Sequence, residues 1–526
     1  MAKHDFFSLR GRKLQIAMLG LVVFPAYGFL GYNNVVMGGL VSNPSFIKQF
    51  PSTDTVHTTG AAKAQNARIE GTVVALYLVG AMFGALSCWK IGDRLGRLRT
   101  TMIGATSAII GWIFESSSFS LGQLIVGRLV VGLGTGMISA TVPIWQSECS
   151  PASHRGVIVV LEGTFSAVAI ALCQWLELGF FFAETSATWR FPLAFPITFA
   201  MVILICAPMM PESPRWLVKH GRLDEARHIV SVLEDTNEES EIVTAAIEKM
   251  QYSLRLMSSA KFKDLLSNGD NRLLNRTLVA MFSTFSQQMS GIAVVGFYTV
   301  PILEDYMGLS QVKSRIVSAS IYSLQLVCSI VTCFTVERIG RRKLMMIGIG
   351  GMGVMAGVLA GTTSRPENRA CAIASTVAIF LFVASFGLGT FGVNYLYGAE
   401  VSPLAYRVPI YAVTATTLWS FNFLSTEVSP IAFATLESRY FIVYCALDLC
   451  VFLPIIYFFL PETRGMLLED MDIVFRNSKN ALEVVKIARD MSRQPCSLDI
   501  EQHDTTVKNA STTIEELSIT HNSNTS

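Results

Sequence analysis

The 526-residue chain says nearly the same thing twice. Gly92-Asp93-Arg94-Leu95-Gly96-Arg97 returns 244 residues later as Val336-Glu337-Arg338-Ile339-Gly340-Arg341. Glu148, Pro151 and Arg155 return as Glu400, Pro403 and Arg407 after 252 residues, and Pro211-Glu212-Ser213 as Pro461-Glu462-Thr463 after 250. Three phrases in one order at a nearly constant offset imply two homologous halves. Each phrase sits where an apolar stretch ends, so the duplicated unit is a bundle of membrane helices. A duplicated membrane half marks a secondary transporter, whose two bundles rock about a central site.

Hydrophobic residues make up 51% of the chain and charged ones 15%, against roughly 25% charged in soluble domains. The mean hydropathy of +0.46 therefore comes from long apolar segments. About 20 apolar residues cross the hydrocarbon layer. Such segments lie near 14–40, 69–89, 100–118, 121–146, 156–181, 190–210, 277–303, 316–336, 344–362, 374–400, 409–434 and 439–460. The expected fold is all-α and integral to the membrane, with twelve transmembrane helices in two six-helix pseudo-symmetric bundles. The expected division is a cytoplasmic N-terminus over 1–13, a first bundle over 14–217, a helical linker over 218–268, a second bundle over 269–474 and a disordered tail over 475–526. Residues 222–230 and 241–257 have helix-forming composition, and the Ser-, Thr-, Asn- and Glu-rich tail lacks apolar residues to bury.

Short-loop basic residues set orientation. Lys90, Arg94, Arg97, Arg99, Arg155, Arg338, Arg341, Arg342, Lys343 and Arg407 share one side with Lys3, Arg10, Arg12 and Lys13. Both termini are therefore expected in the cytoplasm. The first span is longer than a signal-peptide core and lacks a small-residue cleavage site, so it is expected to be retained. A net charge of +2 says nothing about nucleic acid, no basic tract exceeds a membrane-flank cluster, and no nucleic-acid partner is expected. The ten cysteines show no metal or disulfide spacing, and no phosphate loop or nucleophile with a base appears. The expectation is a monomer in the lipid bilayer that binds a small molecule, uses no metal or cofactor, and is not an enzyme.

These phrases, with Gly127-Arg128, Pro143 through Glu148, Arg155-Gly156, Pro211 through Leu217, Gln287-Gln288 with Gly291, Glu337 through Arg342 and Pro461 through Gly465, resemble a known pattern. Over roughly 14–474 the chain is similar to the sugar porter family of the major facilitator superfamily, its fungal hexose and polyol transporters in particular. The resemblance implies that Arg97, Arg155, Arg341 and Arg407 pair with Glu148, Glu212, Glu400 and Glu462 as gating salt bridges. Such guanidinium–carboxylate pairs, bidentate and partly desolvated, are expected to clamp the two bundles together on the inner face.

A sugar offers hydroxyls, each donor and acceptor, on a body with apolar faces, so its site wants neutral amides and an aromatic surface. The seventh span supplies Gln287, Gln288 and Tyr298, the eighth Gln325, and the eleventh Trp419 and Asn422. By motif position these resemble the family's sugar-contacting residues, and with Asn33 of the first span they form the expected substrate site. Departures are Ala293 for a family Asn, Tyr395 for Trp, and Gly163 for Gln beside Glu162. They thin the amides, so glucose is not implied. Proton-coupled members carry Asp where this chain has Asn33, and an amide cannot titrate beside the cationic Arg128. Intramembrane acids are functional suspects by default, and Glu162 and Glu427 are the candidates for proton coupling, with Glu177 near the far end of the fifth span. The favoured expectation is a facilitative hexose or polyol carrier of the plasma membrane. Proton symport of a sugar, sugar acid or other polyhydroxylated compound is the alternative, and a non-transporting sugar sensor a remote one.

Overall fold

The computed structural model describes residues 8–150, 155–183, 185–258, 262–269, 271–305, 307–365, 367–403, 406–466 and 468–491. Among them every regular element is helical. The spans are, in order, Gly11–Leu40, Gly60–Leu95, Arg97–Ser116, Leu121–Cys149, Arg155–Phe181 and Ala187–Met209 in the first half. The second half has Leu273–Asp305, Gln311–Ile339, Arg341–Thr363, Arg369–Val401, Arg407–Leu436 and 440–459. Ten stretches are long and apolar enough to cross a membrane by themselves; the longest, Pro409–Phe459, is broken at Glu437 (φ 49°) and holds two passes. With the 20-residue helix Arg97–Ser116 the passes come to twelve. The repeated motifs cap one end of the bundles, here called the motif face, and the opposite end is the far face.

Small residues let the first half close up. A Cβ at Gly132 or Gly136 of the fourth span would run into the carbonyl oxygens of Tyr77 and Ala81 on the second. Lipid tails provide no hydrophobic drive between helices, so this backbone approach supplies the packing. The sequence repeat is also a geometric repeat. Gly96 (φ 93°) and Gly340 (φ 97°) sit immediately before the third and ninth spans, where only glycine turns the chain without strain. A Cβ at either would lie 2.5 Å from a carboxylate oxygen, of Glu212 in one half and Glu462 in the other.

Breaks in three spans bear on the site. The first breaks at Asn34–Val35, where Val35 leaves helical geometry (φ −130°). The seventh passes through a π turn, Gln288–Ile292, with Gly291 at φ 91° against the Tyr444 ring. The tenth breaks between Gly389 and Val393 at Gly392 (φ 82°). The two halves meet along the second and eleventh, the fifth and eighth, and the first and seventh spans.

Between the halves run Pro214–Lys219, Leu223–Leu233 and Glu241–Ser258. After the last span come Leu468–Asn477 and Ala481–Met491. The expected start of a disordered tail at 475 therefore falls inside a helix, and 481–491 is helical as well. Val484, Val485 and Ala488 bury the apolar stripe of that second helix, a spacing that the polar composition of the surrounding tail conceals. Residues 492–526 lie outside the described residues.

Candidate functional site

The candidate amides of the seventh, eighth and eleventh spans lie 14–15 residues from the motif-face ends of those spans, about 21–23 Å along a helix. Gln287 and Gln288 border the π turn of the seventh span. Gln287 and Gln325 are each 2% exposed, and in both the amide oxygen is buried without a hydrogen-bond partner. An unpaired buried polar group is expensive, and a ligand hydroxyl is what such an oxygen accepts from. Asn422 accepts from Thr426 Oγ1 at 3.3 Å. Trp419 is buried edge-on to Tyr77 of the other half, ring centroids 6.3 Å apart. Tyr298 donates its hydroxyl to the Thr426 carbonyl at 3.2 Å, so its position is fixed by the eleventh span. Non-helical backbone at membrane depth is tolerated where it is buried in protein or lines a cavity, and the breaks fall beside these residues.

Asn33 faces the interior of its own half. Its amide oxygen accepts from Trp112 Nε1 at 3.2 Å, while its amide nitrogen is buried and unpartnered. Glu162 accepts from Tyr27 OH at 2.6 Å, with Tyr395 and Tyr411 of the second half in electrostatic reach. Glu427 accepts from Thr72 Oγ1 across the halves at 2.8 Å, leaving its other oxygen buried and unpaired.

Sequence reasoning missed other buried charges. Glu115 of the third span is fully buried with neither carboxylate oxygen partnered, and it feels the charge of Arg128. Arg128 gives one hydrogen bond, to the Val74 carbonyl at 3.0 Å, and sits 4.9 Å from the Tyr77 ring centroid. Contacts therefore run from Arg128 through Tyr77 to Trp419. The signal for Glu115 was present, since an acid inside an apolar span is itself unusual. Glu70, also buried, accepts from Thr55 at 2.9 Å. Asp448 lies buried at a π turn of the twelfth span, against Gly353 of the ninth.

The motif-face ion pairs form, and they form twice. Arg97 donates to Glu148 at 3.2 and 3.3 Å, and the Arg97 backbone N–H reaches Glu212 at 3.0 Å. In the second half Arg341 donates to Glu400 at 2.8 Å and its N–H reaches Glu462 at 2.8 Å. Ser213 and Thr463 donate to the same two interior carboxylates, Glu148 at 2.5 Å and Glu400 at 2.6 Å. Burial pushes the Glu212 carboxyl above its ordinary range, while the N–H groups of Ser213, Arg97 and Leu98 pull it down. These facts correct the clamp expectation. Each network lies inside one half, joining the start of one span to the end of the next and to the segment after the sixth or twelfth. In this structure the pairs of Arg97 and Arg341 brace each bundle and do not tie the two together. Arg407 opens the eleventh span on the same face; the Arg155 side chain lies outside the described residues.

The sequence profile of a family described as "Sugar (and other) transporter" matches residues 21–475. The chain is 34% identical to the MFS-type transporter oryC of Aspergillus oryzae, over 92% of this chain and 90% of that one. It is 29% identical to the Sugar transporter STL1 of Saccharomyces cerevisiae, over 90% and 84%. With the Glucose transporter GlcP of Staphylococcus epidermidis the figures are 28%, 90% and 99%. Its fold resembles that of the proton:xylose symporter XylE bound to 6-bromo-6-deoxy-D-glucose, at a TM-score of 0.73 and 20% identity over 88% of this chain and 99% of that one.

Proposed function

The chain belongs to the sugar (and other) transporter family of the major facilitator superfamily, and on that premise we propose that it is a secondary carrier of a hexose or related sugar or polyol, working by alternating access. The observation that carries the substrate class is the pair of buried, unpartnered amide oxygens of Gln287 and Gln325 beside the breaks. A polyol hydroxyl satisfies each of them, Gln288 and Asn422 add neutral donors, and the indole of Trp419 suits an apolar sugar face. Fixed charges, which would favour a sugar acid or an amine, are absent from this set of residues. The plasma membrane, with both termini on the cytoplasmic side, is the proposed location.

Facilitative transport is the favoured mode, because Asn33 puts an amide where a titratable acid would otherwise receive the Trp112 bond. Proton symport is the alternative, supported by Glu115 in the field of Arg128 and by Glu162 bonded to Tyr27. Uptake of labelled hexoses and polyols into cells lacking their own hexose carriers tests both. Saturable uptake that stops at the external concentration and ignores an uncoupler is expected. Uphill accumulation that an uncoupler abolishes transfers the assignment to the symporter.

A further inference from the structure

The halves meet unevenly. Toward the motif face the ties among the described residues are fewer: Thr164 Oγ1 meets Cys333 Sγ at 3.2 Å, Ser420 donates to Met82 Sδ at 3.7 Å nearer mid-depth, and Gly163 packs beside Gly392. Toward the far face the seam is hydrogen-bonded at several points: Thr72 to Glu427, Ser318 to Gln174 at 2.6 Å, and Trp175 to Ser323 at 2.9 Å. Arg315 lies in the same region, in the second turn of the eighth span and 2% exposed.

One guanidinium there holds both halves. Arg315 NH1 donates to Glu304 Oε1 and to the Gln311 carbonyl, each at 3.1 Å, and both belong to its own half. NH2 donates to the Gly39 carbonyl at 3.1 Å and to Ser42 Oγ at 3.3 Å, both at the far end of the first span. The guanidinium carbon sits 4.1 Å from the ring centroid of Phe181, at the far end of the fifth span. Arginine suits this place and lysine does not, because a planar fork serves acceptors on two sides while stacking on a ring.

We propose that Arg315 is the positioning residue that closes the far gate of the transport cycle, seating the first span against the eighth. This rests on the carrier reading. The charge arrangement makes the closure reversible. The acceptors in the first half are a carbonyl and a hydroxyl, whereas the bonded carboxylate, Glu304, travels with Arg315. Opening therefore breaks two charge-assisted hydrogen bonds without pulling that ion pair apart. The Glu177 carboxyl of the first half also abuts Gly39. Gly39 has no Cβ to occupy the place of that carboxylate, so acid and guanidinium both approach the first span closely.

The test is a cross-link across the seam. Gln174→Cys and Ser318→Cys are introduced with Cys173→Ala, and a protease site in the linker separates halves that are not cross-linked. With Arg315 present, oxidation should join the halves readily. Arg315→Met should slow cross-linking severalfold, with Arg315→Lys in between. Ser42→Ala, a milder change in the other half, should slow it less but in the same direction, and it keeps the test valid if Arg315→Met does not fold. Native cross-linking rates in the folded variants overturn the proposal. If the unmodified protein carries no sugar yet its cross-linking still depends on Arg315, the gate stands and the substrate assignment falls. If it carries sugar and the rates are unchanged, the gate falls and the carrier reading stands.

Discussion

At Gln287 and Gln325 a buried amide oxygen has nothing in the protein to accept from, and a substrate hydroxyl that loses such a partner costs about 1–3 kcal/mol. Gln287→Ala and Gln325→Ala should each weaken apparent affinity about ten- to a hundredfold without lowering the amount of folded protein. Unchanged concentration dependence in both would put the substrate elsewhere. Asn33→Asp should fold, because a carboxylate also accepts from Trp112 Nε1, and it should make transport rate pH-dependent by adding a titratable acid to a core that already holds Glu115 and Arg128. A flat pH profile in that variant would argue against this part of the core taking part in the cycle. The seventh- and eighth-span amides were legible because they sit in or near recognisable motifs. Which of their atoms are unpartnered was not, since that depends on neighbours from other spans. Glu115 stands thirteen residues before Arg128 in the sequence, and only the packing of the third span on the fourth brings the two into one field.

The elements at the motif face are built by capping. Glu212 receives the first N–H groups of the third span, those of Arg97 and Leu98, and so satisfies donors that a helix start leaves open and complements its dipole. Glu462 does the same for Arg341. Glu212→Gln should cost about 1 kcal/mol and lower the melting temperature in detergent. Because these networks lie within one half, neither Glu212→Gln nor Glu148→Gln should alter the far-seam cross-linking rate. A change in that rate at unchanged stability would restore a role between the bundles. The repeat itself made the duplicated motif legible, with Gly96 and Gly340 at matching positions, but not that Glu212 and Glu462 cap helices. It did not reveal that Arg97 and Arg341 each stay with their own half, because a motif names partners without saying how far the bundles stand apart. The seventh span shows the same limit. Gly291 was recognised within a motif, but its positive φ and the Tyr444 ring against it are facts of packing. Gly291→Ala should cost about 1–3 kcal/mol of backbone strain, read as reduced folded yield and transport.

For the molecule as a whole, twelve passes in two like halves could be read from hydropathy and the repeat together, since membrane helices must satisfy their own backbone. The uneven seam could not, because its bonds join residues more than 130 apart in the chain, such as Gln174 with Ser318 and Gly39 with Arg315. That seam gives the two-bundle architecture a closed far side and fewer ties toward the motif face, the asymmetry an alternating carrier needs in any one state. If transport is facilitative, Glu115→Gln and Glu162→Gln should leave the final level of a non-metabolised substrate at its external concentration, as in the unmodified protein. Counterflow in vesicles tests the central claim most directly. Purified protein is reconstituted, the vesicles are loaded with an unlabelled hexose or polyol, and trace labelled substrate is added outside. A carrier of this class should give a transient overshoot of label inside, which decays as the gradient of unlabelled substrate runs down. No overshoot with any hexose or polyol, from protein shown to be folded, would contradict the account.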